Sequence, residues 1–342
     1  MSIAIFIISF VVAGILSFCF VPFVRRLAFH LHVFDEPSRA PLRKAHEAAT
    51  PLLGGIAVFC SFFFLAFIVL ALLDVDPSAS AIKMKHLVGL AVGGALLMIG
   101  GFLDDRFSLP PRRQIIWPIL AAFVVIASGI GITYITHPFG GPLGTEQIRL
   151  DRYETILFWF AGWPYKLTLF ADLFTFLWLM GMMYTTKFLD GLDGLVSGVT
   201  IIGAFGIAAL ALNPFMHQSA IALLALMLAG SFVGFLIWNW HPARIFLGEG
   251  GSLFAGFMLG ALSILSGSKV ATTVLVLAVP VLDGAWVILY RLFWKRHSPF
   301  VGDRQHLHFR LLSWGFSHRV AVLFLYAISL LLGLVALLWQ SI

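Results

Sequence analysis

Charge is scarce in this sequence. Only 11% of its 342 residues are Asp, Glu, Lys or Arg, less than half of the roughly 25% usual in a soluble globular domain. With 60% hydrophobic residues and a mean hydropathy of +0.98, that shortage excludes a soluble fold and leaves an integral membrane protein. Cysteine is almost missing. Cys19 and Cys60 are the only two and both fall in apolar runs, which excludes a disulfide framework and leaves them as packing residues. No stretch of basic residues interleaved with aromatics occurs, so the net charge of +6 points to the lipid bilayer and to sidedness, with no nucleic acid as partner. There is no internal repeat, no low-complexity tract and no polar half able to fold alone, so residues 1–342 read as a single polytopic membrane domain.

What the chain does have is apolar runs long enough to cross roughly 30 Å of hydrocarbon. They fall near 3–24, 53–73, 86–103, 114–135, 172–189, 194–212, 218–238, 252–268, 270–290 and 320–339, predicting an all-α protein of about ten transmembrane helices. The first run has no positive charge before it and Arg25 and Arg26 directly after it. That reverses the layout of a cleavable signal peptide, so the run should remain as a span with its N-terminus outside. Sixteen of the 22 Lys and Arg residues then fall on the inner face, as positive-inside sidedness requires. The cytoplasmic loops come at about 25–52, 104–113, 239–251 and 291–319, and an external loop at about 136–171. Within that external loop, 153–169 is apolar but interrupted by Pro164 and Lys166, which reads as a surface hairpin or interfacial helix. The glycine-rich spans read as close helix packing.

Five polar rows break the apolar pattern, all on the inner face: LRKAH at 42–46, GFLDDRF at 101–107, FLDGLDGLVSGV at 188–199, NWHPARIFLGEGGS at 239–252 and DRQHLHFRLL at 303–312. Acids at the ends of membrane helices are costly unless they hold a cation or a substrate. Asp104 and Asp105 are neighbours that point about 100° apart on a helix, so they should have different tasks, one toward a metal or phosphate and one toward a basic partner such as Arg112. Asp190 and Asp193 are three apart with a glycine after each, which can bring both to one helix face while the backbone approaches a ligand. Asn239, Phe246 and Glu249 add an amide, an aromatic ring and an acid in a glycine-rich turn before a helix. His306 and His308, flanked by Arg304 and Arg310, gather cations where phosphates would sit. Carboxylates dominate and no thiol is near, so the metal these rows would hold is Mg²⁺ or Mn²⁺. Taken together, the rows suit phosphoryl transfer between a water-soluble diphosphate and a lipid phosphate.

Read in order, DEPSRAPLRKAH with PLLGGIAVF, GFLDDRFSLPPR, FLDGLDGL, NWHPARIFLGEGGS, PVLD and DRQHLHFRLLSWGFSHR resemble the bacterial polyprenyl-phosphate N-acetylhexosamine-1-phosphate transferases over nearly the whole chain. The last row is more similar to the branch that starts O-antigen, enterobacterial common antigen or teichoic-acid linkage synthesis than to the branch making the first lipid-linked peptidoglycan precursor. The HPA at 241–243 pulls the other way.

The resemblance implies transfer of a sugar 1-phosphate from a UDP-N-acetylhexosamine to undecaprenyl phosphate, with Mg²⁺ and release of UMP, at the cytoplasmic side of the bacterial inner membrane. A homodimer is compatible with it. It implies that Asp104 and Asp105 handle the lipid phosphate and metal, and that Asp190 and Asp193 position the nucleotide diphosphate. Asn239 and Phe246 then match positions near the uracil, Glu249 a metal ligand, and His306 a catalytic or phosphate-binding histidine, with Lys44, His46, Arg304 and His308 completing the polar wall. The chain departs from the family pattern at Tyr184 and Lys187, where two asparagines are usual, and at Glu249, Phe309 and Arg112, where Asp, His and Lys are common. Two alternatives follow: a relative that binds lipid phosphate or nucleotide sugar without turnover, and a polytopic transporter.

Overall fold

The structure is a computed structural model that describes residues 2–35, 50–72, 82–136, 147–151, 154–160, 163–213, 217–267, 278–290 and 306–340. Its helices are α1 (Ile3–His30), α2 (Gly54–Leu72), α3 (Met84–Phe107), α4 (Pro111–Gln114), α5 (Ile116–Ala127), α6 (Leu169–Leu189), α7 (Leu195–Ala211), α8 (Ser219–Asn239), α9 (Gly248–Leu265), α10 (Ala278–Tyr290), α11 (Leu307–Ser313) and α12 (His318–Gln340). Among the described residues, seven helices are long and apolar enough to cross a membrane: α1, α2, α3, α6, α8, α9 and α12. The protein is a mostly helical, multi-pass membrane protein.

Helices α8 and α9 are the most enclosed. Helix α1 packs on α8, α3 and α6 pack on α9, and α12 packs on α7. Lipid tails are as apolar as leucine side chains, so close backbone packing, rather than escape from water, drives such helices together. Glycines provide the room. A Cβ on Gly101 of α3 would collide with the backbone of Gly250 in α9, and one on Gly55 of α2 with that of Gly251. These contacts draw the C-terminal end of α3 and the N-terminal ends of α2 and α9 into one place. The outward faces carry exposed apolar side chains, among them Ile7, Val11 and Ile15 on α1 and Leu323, Leu330 and Leu334 on α12.

Several expected boundaries move. Helix α1 continues through Arg25 and Arg26 to His30, and α3 continues through Asp104 and Asp105 to Phe107, where Ser108 closes it in the left-handed region at φ 51°. Hydropathy marks where lipid ends, whereas the helix ends only where its hydrogen bonds do. The run at 114–135 starts at the last residue of α4 and otherwise is helical only over Ile116–Ala127. Beyond Gly129 and Gly131 the chain is extended and enters β3 (Tyr134–Thr136), which pairs antiparallel with β4 (Gln147–Arg149). Two further pairs, β1 (Phe34–Asp35) with β2 (Thr50–Pro51) and β5 (Glu154–Phe160) with β6 (Trp163–Thr168), add a little sheet to the expected all-α architecture. Cys19 and Cys60 are free thiols on the outward surface, not packing residues.

The β5–β6 hairpin occupies the apolar stretch expected to form a surface element. The chain on either side of it stays at one end of the bundle. Just before it, Ile132 donates its N–H to Thr175 of α6 at 2.8 Å, and the Tyr134 hydroxyl reaches the Gly267 carbonyl beyond the C-terminus of α9. Just after it, α6 begins.

Candidate active site

The opposite end of the bundle collects the polar rows. At the C-terminal end of α3, the Asp104 carboxylate accepts the Leu109 N–H at 2.8 Å and the Gln114 amide at 2.9 Å. Its partner is therefore Gln114, and Arg112, expected in that role, stands exposed on α4. The next acid turns toward α9, and both Asp105 oxygens lie 3.2 Å from the Glu249 backbone nitrogen. That N–H is one of the unsatisfied donors at the start of a helix, where the dipole also favours an anion. Gly248 makes the approach feasible: its φ of +74° needs no Cβ, and a Cβ there would meet Asp105 Oδ2. Glu249 thus belongs to the first turn of α9, not to a turn preceding it.

Lys187, in the last turn of α6, ties these acids together. Its ammonium forms an ion pair with Glu249 Oε1, donates to Gln114 Oε1 at 3.2 Å and lies 5.5 Å from the Tyr184 ring centroid. Three of the five positions where the chain departs from the family pattern, Tyr184, Lys187 and Glu249, therefore meet in the acidic group. Thr186 anchors the same end of α6 to α9 by donating to the Ser252 carbonyl at 2.8 Å.

Asp190 and Asp193 do not share a helix face. Helix α6 stops at Leu189, α7 starts at Leu195, and both acids lie in the turn between them. Burial first, then the charges of Glu249 and Asp193, push the Asp190 carboxyl up to about 7. Asp193 instead turns to the HPA segment: Oδ2 is 2.7 Å from His241 Nδ1 and accepts the Ala243 N–H at 3.1 Å.

Asn239, expected near the uracil, is a brace. It is buried, its Oδ1 accepts from the Gly194 N–H and the Ser197 hydroxyl, each at 3.0 Å, and its Nδ2 donates to the Ile245 carbonyl at 3.0 Å. Phe246 is half-buried. Its backbone accepts from Gly54 and donates to Pro51, both at 2.9 Å, joining the turn to the start of α2.

His306 and His308 are both buried. His306 Nδ1 lies 2.9 Å from Asp283 Oδ2, and the other oxygen of Asp283 accepts the Leu307 N–H at 2.8 Å. Neither ring nitrogen of His308 has a partner among the described residues, and its Nε2 points at Gly191, where a Cβ would collide with it. Burial, reinforced by the nearby His306 and His318, pushes the His308 imidazole down to about 3, although Asp283 opposes the shift. Lys44, His46 and Arg304 lie outside the described residues.

Sequence reasoning missed Asp283, Gln114, His241 and His318 as members of this group. The signal for Asp283 was present, since an acid inside an apolar run needs a partner. Gln114 carried none.

A cluster of carboxylates with buried histidines thus lies at one end of a multi-pass helical membrane protein. The family model described as "Glycosyl transferase family 4" matches residues 87–267, which run from α3 to the end of α9. The chain belongs to this family and is a transferase. It is 30% identical to a Bacillus subtilis protein named "Probable undecaprenyl-phosphate N-acetylglucosaminyl 1-phosphate transferase", over 98% of this chain and 85% of that one. It is also 30% identical to the "Decaprenyl-phosphate N-acetylglucosaminephosphotransferase" of Mycolicibacterium smegmatis, over 92% and 77% of the two chains. Identity is 28% to the "Phospho-N-acetylmuramoyl-pentapeptide-transferase" of Listeria monocytogenes, over 92% and 91%.

Proposed function

We propose that the protein transfers a sugar 1-phosphate from a UDP-N-acetylhexosamine, UDP-N-acetylglucosamine or a relative, to undecaprenyl phosphate. UMP is released, and a lipid-linked cell-envelope glycan is started at the cytoplasmic face of a bacterial inner membrane. One observation carries the reading: in a chain of this family, Asp104, Asp105, Asp190 and Glu249 gather at one end of the helical bundle. The names of its relatives support the two substrates. The ten crossings then consist of the seven long helices together with the segments containing α5, α7 and α10.

In this reading an oxygen of the lipid phosphate forms a bond to the sugar-bearing phosphorus while the bond from that phosphorus to UMP breaks, and UMP leaves with the bridging oxygen. Asp104 meets the incoming lipid phosphate and accepts its proton, with Asp105, held on the Glu249 N–H, beside it. His306, with Nδ1 committed to Asp283, keeps Nε2 for a phosphate oxygen. The turn bearing Asp190 and Asp193 receives the nucleotide diphosphate. Mg²⁺ or Mn²⁺ suits the donors, which are hard carboxylate oxygens in excess over the single ammonium of Lys187. Glu249, Asp190 and Asp104 would hold the ion, which supplies positive charge to the transferring group.

The test is to incubate purified, folded protein with undecaprenyl phosphate, Mg²⁺ and each of several UDP-N-acetylhexosamines and to measure UMP. Release is expected with one of the sugars, and silence with all of them removes the enzyme reading. The ion pair between Lys187 and Glu249 favours a second reading, a relative that binds without turnover. Retained binding of UDP-sugar with no UMP would select it.

A further inference from the structure

Beside the acidic group, three side chains from distant parts of the chain meet: Asp193 from the turn between α6 and α7, His241 from the turn after α8, and His318 from the first residue of α12. One ligand atom from each lies within 4.8 Å of the others. Asp193 Oδ2 is 2.7 Å from His241 Nδ1. The rings of His241 and His318 stack, with centroids 4.1 Å apart and planes 15° from parallel. The His318 ring also lies against the Asp193 backbone, while its Nε2 is buried with no partner among the described residues.

That orphaned nitrogen needs an explanation. A buried ring nitrogen with no partner is destabilising, and packing supplies no reason to hold it there. A histidine held by ring stacking against its neighbour, with one buried nitrogen lone pair left free, is poised as metal-ligating histidines are. The backbone behind it is also fixed, because Arg319 donates twice to the His241 carbonyl, at 2.9 and 3.2 Å.

We propose that Asp193, His241 and His318 form a second cation site, selective for a transition metal of the Zn²⁺ type and separate from the acids around Glu249. Two imidazoles and one carboxylate favour Zn²⁺ or Co²⁺ over Mg²⁺, which prefers oxygen alone. Three protein ligands leave a fourth position open, and the His241 side chain, 33% exposed, gives that position access to water. The proton shared by Asp193 and His241 leaves as the metal enters. The His241 ring turns about its χ2 angle, because ligand nitrogens must point at the ion and stacked rings do not. A bound ion would staple the turn carrying Asp190 to the last long helix.

The experiment uses full-length protein in detergent, stripped with EDTA and titrated with Co²⁺. The expected result is a saturable visible d–d absorption band at one Co²⁺ per chain, abolished by equimolar Zn²⁺ and unaffected by excess Mg²⁺. His318→Gln and His241→Gln should each weaken Co²⁺ binding at least tenfold, while Glu249→Gln retains it. Zn²⁺ should raise the thermal midpoint of the wild type but not of His318→Gln, with matching elution profiles showing that the variant is folded. No saturable band, or wild-type binding in both histidine variants, overturns the site, as does loss of the band in Glu249→Gln alone. Binding is read without turnover, so the result is independent of the transferase reading.

Discussion

Asp105 on α3 holds the backbone N–H of Glu249 on α9, with both carboxylate oxygens 3.2 Å from the nitrogen. The two acids are 144 positions apart in the chain, and the contact brings the side chain of one and the helix start of the other into a single group. It forms because Gly101 and Gly250 let the two helices touch backbone to backbone.

Asp104→Asn separates charge from structure. The amide oxygen still accepts from Leu109 and Gln114, so thermal stability should remain within about 1 kcal/mol of wild type. Turnover should fall about 100-fold or more, the scale of losing one proton-handling group. UMP release and a thermal melt on the same sample check both halves. Full activity would mean that the site has been misassigned.

Lys187→Asn removes the ammonium that partners Glu249. In the absence of divalent ions the variant should melt at a lower temperature, because the acids lose their nearest positive charge. Its affinity for Mn²⁺, followed by the paramagnetic resonance of the free ion, should rise about tenfold, equivalent to about 1.4 kcal/mol. Unchanged affinity would show that Lys187 and the cation do not share a site.

Asn239→Ala strands the Gly194 N–H, the Ser197 hydroxyl and the Ile245 carbonyl. A cost of about 2–4 kcal/mol is expected, read as a lower unfolding midpoint in detergent. The KM for the UDP-sugar should hold while the yield of folded enzyme drops. A raised KM at unchanged stability would return Asn239 to the nucleotide.

The buried His308 predicts a pH dependence. Its folded pKa of about 3 is below the ordinary 6.5, so the folded state favours the neutral ring. The corresponding stability is fully present above about pH 6.5 and is lost as pH falls toward 3, by up to about 1.4 kcal/mol per unit. Denaturant midpoints at pH 7 and pH 5 should differ in the wild type, and His308→Asn should flatten the difference. An equal slope in the variant would assign the loss to another group.

The polar rows were legible because acids, amides and histidines are conspicuous against an apolar background, and their order in the chain carried the family. Less legible was how they pair. Asp190 and Asp193 looked like neighbours on a helix, yet the helix ends between Leu189 and Asp190, and Asp193 turns to a histidine 48 positions away. Asp283 needed a partner, but nothing local could name His306. Glu249 looked like a loop residue because glycine is a poor helix former, while Gly248, Gly250 and Gly251 are needed for contact with Asp105, α3 and α2. Spacing along the chain reports local geometry, and these pairings are decided by helices that meet from far apart.

The Gly194 turn has a consequence for how the molecule is made. Its N–H waits for Asn239, which is synthesised 45 residues later, and its carbonyl for the Tyr326 hydroxyl, 132 residues later. A nascent chain halted after α7 therefore carries Asp190 and Asp193 on an unsupported segment. The acidic end gains this last support only once α12 docks, so a truncation that removes Tyr326 should lower the stability of the turn that carries Asp190 and Asp193.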